Sequence, residues 1–441
     1  MDEISKPPGW NGTFGNSLAR TFTRERLATI PDLMATGVAI VLPWSTSLTV
    51  VFVWLYLASL LPVLGFAKLR DAFLEPLSAV PTLLFLLAVV GMIWADVGWG
   101  ERLKGLSAYR FMLFIPPLIL HFRISAHAHW VLAGFLFSCS VLLLISWAIY
   151  LFPSIPWQRP VHSPDVPIKD HITQGIEFTF CIFALAGLAG RASLKRQPLA
   201  CAAFIFLVLA FAGNILYVAP SRTVLVVLPV VILLFAWRQF GWRGLTGGVL
   251  TTVVVATLVW ASSPTVRNAI GRAVADVELY PHNFQTSVGI RLEFWRKSLD
   301  FVLEAPLIGH GTGGIEDRFR RDAETGTAGL TTTNPHNQVL AVALQLGFIG
   351  VAVLVAMWFV HAAVFWSASG FGAWVGVATV AQFVISSLFN SVFFDFTPAV
   401  GYALAIGVAG AVVLQNREPE IRSGPELRPP GVLEPESASK R

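Results

Sequence analysis

The stretch from Thr331 to Gly347, TTTNPHNQVLAVALQLG, puts an imidazole, His336, where a polar loop runs into what reads as one long apolar helix. Two arginines, Arg222 in PSRTVLVV and Arg291 in SVGIRLEF, stand at comparable helix or loop mouths. A neutral imidazole, with an ordinary pKa of about 6.5, can take a proton from an attacking hydroxyl. Two permanent guanidinium charges can grip the oxygens of a phosphate or pyrophosphate leaving group. Each residue alone also has a plain structural reading: Arg222 as an anchor in lipid headgroups, Arg291 as the solvated face of a helix, His336 as a donor to a loop carbonyl. Together they form a set suited to a displacement in which a phosphate departs.

The elements that must position this set are membrane helices. Hydrophobic residues make up 55% of the chain and charged residues 13%, more apolar surface than a water-soluble core of this size can hide. Windows of about 20 apolar residues recur along it. They predict an all-α, polytopic bundle of about twelve transmembrane helices near 29–44, 46–66, 77–95, 108–121, 129–152, 174–191, 198–218, 221–238, 244–262, 337–366, 371–392 and 397–416. Pro43, Pro62, Pro116 and Pro117 are expected to kink or interrupt spans. Domain organisation follows: residues 1–27 as a cytoplasmic N-terminal segment, 28–261 as helices one to nine, 262–336 as a large periplasmic loop, 337–416 as helices ten to twelve, and 417–441 as a disordered cytoplasmic tail. The first 25 residues lack the apolar core and cleavage site of a signal peptide.

Orientation rests on the Lys/Arg bias of short loops. Arg20, Arg24 and Arg26, Lys68 and Arg70, Arg191, Lys195 and Arg196, and Arg238 and Arg243 share one side if both termini are cytoplasmic. Residues 96–110, with Glu101, Arg102, Lys104 and Arg110, break the pattern: either the short span at 108–121 is miscounted or a basic outer surface meets lipid phosphates. In the large loop, Ile290, Phe294, Trp295, Leu299, Val302 and Leu303 recur at helical spacing, and Pro306 and Gly309 end that helix. The stripe is wide enough to lie on the membrane or against the bundle. Cys139, Cys181 and Cys201 fall in apolar runs, so neither disulfide nor thiol chemistry is expected. A net charge of +5 without a basic, aromatic-interleaved module gives no nucleic-acid partner.

A base and a phosphate clamp at an outer membrane interface suit transfer of a glycan from a polyprenyl pyrophosphate lipid. On Ser221-Arg222-Thr223, Gly289-Ile290-Arg291, Pro306-Leu307-Ile308-Gly309-His310-Gly311 and Pro335-His336-Asn337 with Leu340, in that order, the chain resembles the bacterial O-antigen ligase family over about residues 28–415. That group also holds O-antigen polymerases and protein O-oligosaccharyltransferases. The resemblance implies a lipid-dependent (GT-C-like), inverting glycosyltransferase of the bacterial inner membrane, with its active site facing the periplasm. It would join O-antigen carried on undecaprenyl pyrophosphate to the lipid A core oligosaccharide, without metal or other cofactor. It further implies that His336 activates the acceptor hydroxyl while Arg222 and Arg291 hold the departing pyrophosphate.

Around this set, Lys169, Asn337 and His310 are further substrate-binding candidates, and His310 is the second choice of base. Lys169 belongs to an outer segment with Asp170, His171 and Gln174 at the mouth of the sixth span. Pro281-His282-Asn283 repeats the triplet, but no apolar helix follows, so it reads as a turn. His127-Ala128-His129 lacks nearby acids and no paired carboxylates have a cation's spacing, so no metal site is expected. A transporter of lipid-linked sugars is the rival from another class. Against it stands the lack of a buried acidic relay, Asp395 being read as isolated near the outer end.

Overall fold

The computed structural model describes residues 24–62, 66–157, 166–325 and 329–422, and all regular structure among them is helical. Residues 1–23 and 423–441, on which most of the expected N-terminal segment and tail fall, lie outside the described residues. In chain order the helices are α1 (Arg24–Val41), α2 (Thr46–Leu60), α3 (Phe66–Leu74), α4 (Pro76–Gly91), α5 (Trp99–Ser107), α6 (Ile115–Phe122) and α7 (Ala128–Leu151). There follow α8 (His171–Leu194), α9 (Pro198–Gly213), α10 (Arg222–Ser262), α11 (Pro264–Leu279), α12 (Ser287–Glu304), α13 (Ile315–Thr325), α14 (Gln338–Trp366), α15 (Gly370–Ser387) and α16 (Phe396–Arg422).

Each of the twelve apolar windows overlaps a helix among the described residues. By length and composition, seven described helices can cross a membrane, or up to nine if each of two bent pairs is one span, and α1 and α2 contain shorter apolar runs. This is a polytopic membrane protein. The spans carry apolar side chains outward as well as inward: Phe137, Leu144, Leu199, Leu209, Leu250 and Phe359 are all exposed. A helix apolar all round is solvated by lipid.

The four prolines end or start helices and kink none. Pro43 and Pro62 follow the ends of α1 and α2, and Pro116 and Pro117 open α6, where a missing N–H loses no bond. The sharp bends lie elsewhere. Gly241 breaks α10 into two helices, as the separate windows at 221–238 and 244–262 require. Gly347 breaks α14 nine residues after its start, so the helix entered at His336 is not the uninterrupted span that the sequence suggests.

The main core joins α1 to α7, α4 to α14, α6 to α16, α8 to α9 and α15, and α15 to α16. A second core forms in the large loop, where Phe294, Phe301 and Val302 of α12 and Ile315 and Phe319 of α13 pack on Ala341, Ala343 and Leu344 of the first part of α14. Fully burying a side chain such as Phe319 stabilises by ~1.5–3 kcal/mol. The expected stripe on α12 is therefore only partly the buried face: Leu299 and Leu303 are 54% and 73% exposed, and the loop packs on itself and on α14.

Of the charged residues in the 96–110 loop, Asp96, Arg102 and Lys104 are spent on protein. Arg102 donates to the carbonyls of Met92, Ala95 and Val97 beyond the end of α4, Lys104 pairs with Glu316 of α13 at 2.8 Å, and Arg321 pairs with Asp96 at 2.9 Å. These contacts put the segment at the same end of the bundle as the large loop, where alternation of the spans places it.

Candidate active site

The loop before α14 holds His336 in a left-handed backbone conformation, φ 55°, which non-glycine residues seldom adopt. Side chains on both flanks hold it there. Asn334 Oδ1 accepts from the His336 amide at 2.8 Å, and the indole of Trp295 donates to the Pro335 carbonyl at 3.0 Å. Phe294, one position before that indole, stacks on the imidazole with 6.4 Å between ring centres and 24° between planes. Helix α12 thus fixes the histidine twice and carries Arg291 one turn earlier.

The imidazole Nδ1 lies 2.9 Å from Asn390 Oδ1, an atom that can only accept, so Nδ1 carries the proton. The amide's other end donates to Asp395 Oδ2 at 3.3 Å, which fixes the amide orientation. Nε2 has no hydrogen-bond partner among the described residues and keeps its lone pair. Burial lowers the His336 pKa, the Asn390 bond opposes this, and the charge of Arg291 lowers it further. Burial and the nearby Asp170 push Asp395 up to about 6. Asn390 was missed by sequence reasoning, because the window ending at 392 covers it whereas α15 stops at Ser387 and leaves it in the following turn; Asp395, expected to be isolated, is joined to it.

Arg291 is half-buried, and both desolvation and the charge of Arg222 lower its pKa, although a guanidinium keeps its proton at any working pH. Arg222 therefore acts on Arg291, and Arg291 on His336. Arg222 stands at the start of α10, held near α12 by Asp276 of α11: its Nη1 is 3.9 Å from Asp276 Oδ2, the oxygen that also accepts from the Val288 amide at 3.2 Å. Thr286 caps α12 through the Gly289 amide at 3.0 Å. The structure brings the three sequence candidates into one electrostatic neighbourhood.

The other candidates have structural partners. Asn337 caps α14, its Oδ1 accepting from Val339 and Leu340 at 3.0 and 3.1 Å, and its Nδ2 donates to the Leu388 carbonyl at 3.0 Å. His310 donates from Nε2 to the Phe301 carbonyl at 2.8 Å, and its amide bonds Leu344 O at 2.8 Å. The surrounding PLIGHG segment serves the break at Gly347: Gly311 bonds Gln345 O at 2.9 Å, and the amides of Phe348 and Ile349 bond Pro306 and Leu307 at 2.8 and 3.2 Å. Lys169 donates to the Leu42 carbonyl and to Thr397 Oγ1, with Glu177 Oε1 3.9 Å away, and burial lowers its pKa while Glu177 opposes that.

A family model described as O-antigen ligase matches residues 206–355, which include Arg222, Arg291 and His336. Over that third of the chain the protein is similar to the O-antigen ligase family. Within that family segment lie α10 to α13 and the broken start of α14, the parts that build the site; Lys169, Asn390 and Asp395 lie outside it. An uncharacterized protein of Haemophilus influenzae is 24% identical over 258 residues, covering 56% of this chain and 62% of that protein. The chain thus spans less than two thirds of the length of that relative.

Two carboxylates in the helices were not foreseen. Asp32 of α1 is buried between His121, at 3.1 Å, and His127, at 3.0 Å, and Glu177 of α8 is buried beside Lys169.

Proposed function

We propose that this chain is an inverting glycosyltransferase that moves O-antigen from undecaprenyl pyrophosphate to the lipid A core oligosaccharide at the periplasmic face of the inner membrane. The observation that carries the reading is the run of charge from Arg222 through Arg291 to a neutral, half-buried His336. His336 Nε2 takes the proton of an acceptor hydroxyl as its oxygen bonds the anomeric carbon. The bond from that carbon to the pyrophosphate breaks on the opposite side, and the two guanidinium groups hold the charge that the lipid pyrophosphate carries away. The arginines supply this charge themselves, so the reading gives a metal no part. The lipid-dependent (GT-C-like) architecture of about twelve spans, with both termini cytoplasmic, belongs to the same proposal.

A polymerase or a protein O-oligosaccharyltransferase would share base and clamp and differ in acceptor. Mixing purified protein with lipid-linked glycan and separate acceptors, namely lipid A core, a second lipid-linked glycan, or a protein, decides among them. Ligation predicts glycan on lipid A core and release of the pyrophosphate lipid. A second reading, a carrier of lipid-linked sugars, is favoured by the buried Asp32 and Glu177, since intramembrane acids often serve proton relays. A carrier would move the donor across liposomes and release no pyrophosphate lipid.

A further inference from the structure

A cavity of about 1430 Å³ runs between α7, α8, α15 and α16, walled by apolar side chains such as Phe135, Leu188, Val375, Leu404 and Val408. It exceeds the ~300–1,000 Å³ of ordinary small-molecule sites. Its two ends differ in charge. At one end Leu42, Glu177 and Thr397 line it, and the Lys169 ammonium ties the Leu42 carbonyl to Thr397 Oγ1 beside Glu177. At the other end stand Arg191, Arg238 and Gln239. Glu177 and Arg191 are fourteen positions apart on α8, about 21 Å at 1.5 Å per residue, against a hydrocarbon core of roughly 30 Å.

We propose that this cavity binds a membrane phospholipid, an acyl chain lying along α8 and the phosphate held by Arg191 and Arg238. Both guanidinium groups are set in place by aromatic rings, Arg191 over Phe371 and Arg238 over Trp366, each at 5.3 Å. Arg238 Nη2 donates to the Phe365 and Ala368 carbonyls at 3.2 and 2.8 Å, while its Nη1 is buried with no hydrogen-bond partner among the described residues. Neither arginine is ion-paired among the described residues. A phosphate oxygen gives such donors a charge-assisted partner. The long apolar walls require a chain attached to that phosphate, which a free anion lacks. At the far end the Lys169 ammonium is already held by the Leu42 carbonyl, Thr397 Oγ1 and Glu177, so the guanidinium groups of Arg191 and Arg238, not ion-paired among the described residues, set the ligand's direction. The site is separate from the proposed pyrophosphate clamp at Arg222 and Arg291, and it stands or falls independently of any glycosyl transfer.

The test uses the full chain in detergent micelles with a phosphatidylglycerol probe bearing a diazirine on its acyl chain. After irradiation, adducts should map to the cavity faces of α8 and α15, saturate, and be displaced by unlabelled phosphatidylglycerol but not by inorganic phosphate. A diacylglycerol probe with the same chain should label about tenfold less, and Arg191→Gln should lower labelling by the phospholipid probe about tenfold. The Arg191 side chain makes no hydrogen bond among those described, so this variant leaves the Arg238 contacts intact; Arg238→Gln is the second variant. Adducts confined to other surfaces, equal labelling by diacylglycerol, or unchanged labelling in both arginine variants would overturn the proposal. Displacement by a polyisoprenyl phosphate at lower concentration than by phosphatidylglycerol would overturn the choice of a phospholipid.

Discussion

His336 Nδ1 lies 2.9 Å from Asn390 Oδ1, across 54 residues of sequence, and this one bond decides which imidazole nitrogen can act as a base. Replacing Asn390 by Ala removes the acceptor that holds the proton on Nδ1. Glycan transfer by Asn390→Ala should fall roughly tenfold or more, and by His336→Ala about 10²–10⁴-fold, the range a general base contributes. Both are read in reconstituted protein whose melting temperature is unchanged. Full transfer by His336→Ala would remove the proposed base.

The pH dependence has a definite sign. In the proposed mechanism the neutral imidazole is the active form, and the folded protein holds the His336 pKa below its ordinary 6.5, so the midpoint of the acid-side decline in activity should fall below pH 6.5. Arg291→Gln removes a positive charge that depresses this pKa, so the decline in its residual activity should begin at higher pH. Asn390→Asp places a carboxylate beside the ring and should move the decline the same way. A profile identical in all three proteins would contradict the electrostatic contact.

The two arginines should not be interchangeable with lysine. A guanidinium offers several donors in a fixed plane, whereas an ammonium is a single point charge. Arg222→Ala and Arg291→Ala should each lower turnover of the lipid-linked donor by about 10²–10³-fold, with only partial recovery in the lysine variants. A loss confined to membrane insertion, with normal turnover per folded molecule, would make Arg222 a headgroup anchor.

Gly347 adopts φ 61° and ψ −161°, a region open essentially to glycine alone, and an added Cβ would strike the Leu307 carbonyl. Gly347→Ala should destabilise the protein by about 1–3 kcal/mol from backbone strain, with the clash in addition. Thermal unfolding in detergent measures this directly. An unchanged melting temperature would mean that α14 can run straight.

Much of the helical framework could be read from composition because lipid-facing and core-facing residues are alike apolar, so every window declares itself. Arg222, Arg291 and His336 were legible as a set because three polar residues at helix mouths stand out against that background. The break at Gly347 was not, since Gln345-Leu346-Gly347-Phe348 continues an apolar run, and the cause lies some forty residues earlier in the backbone of Pro306 to Gly311. Asn390 escaped for the opposite reason: Phe389-Asn390-Ser391-Val392 resembles the end of a span, and only the observed stop at Ser387 frees the amide to face His336. Asp395, read as isolated, is joined to that amide.

Because α14 is interrupted at Gly347, the nine residues that follow Asn337 are fastened to the large loop, while the remainder of the helix is packed against α4 and α15. Bilayer thickening or a tilt of that longer rod would flex the joint before it displaced the imidazole. The proposed catalytic end is in this sense mechanically insulated from the lipid around it.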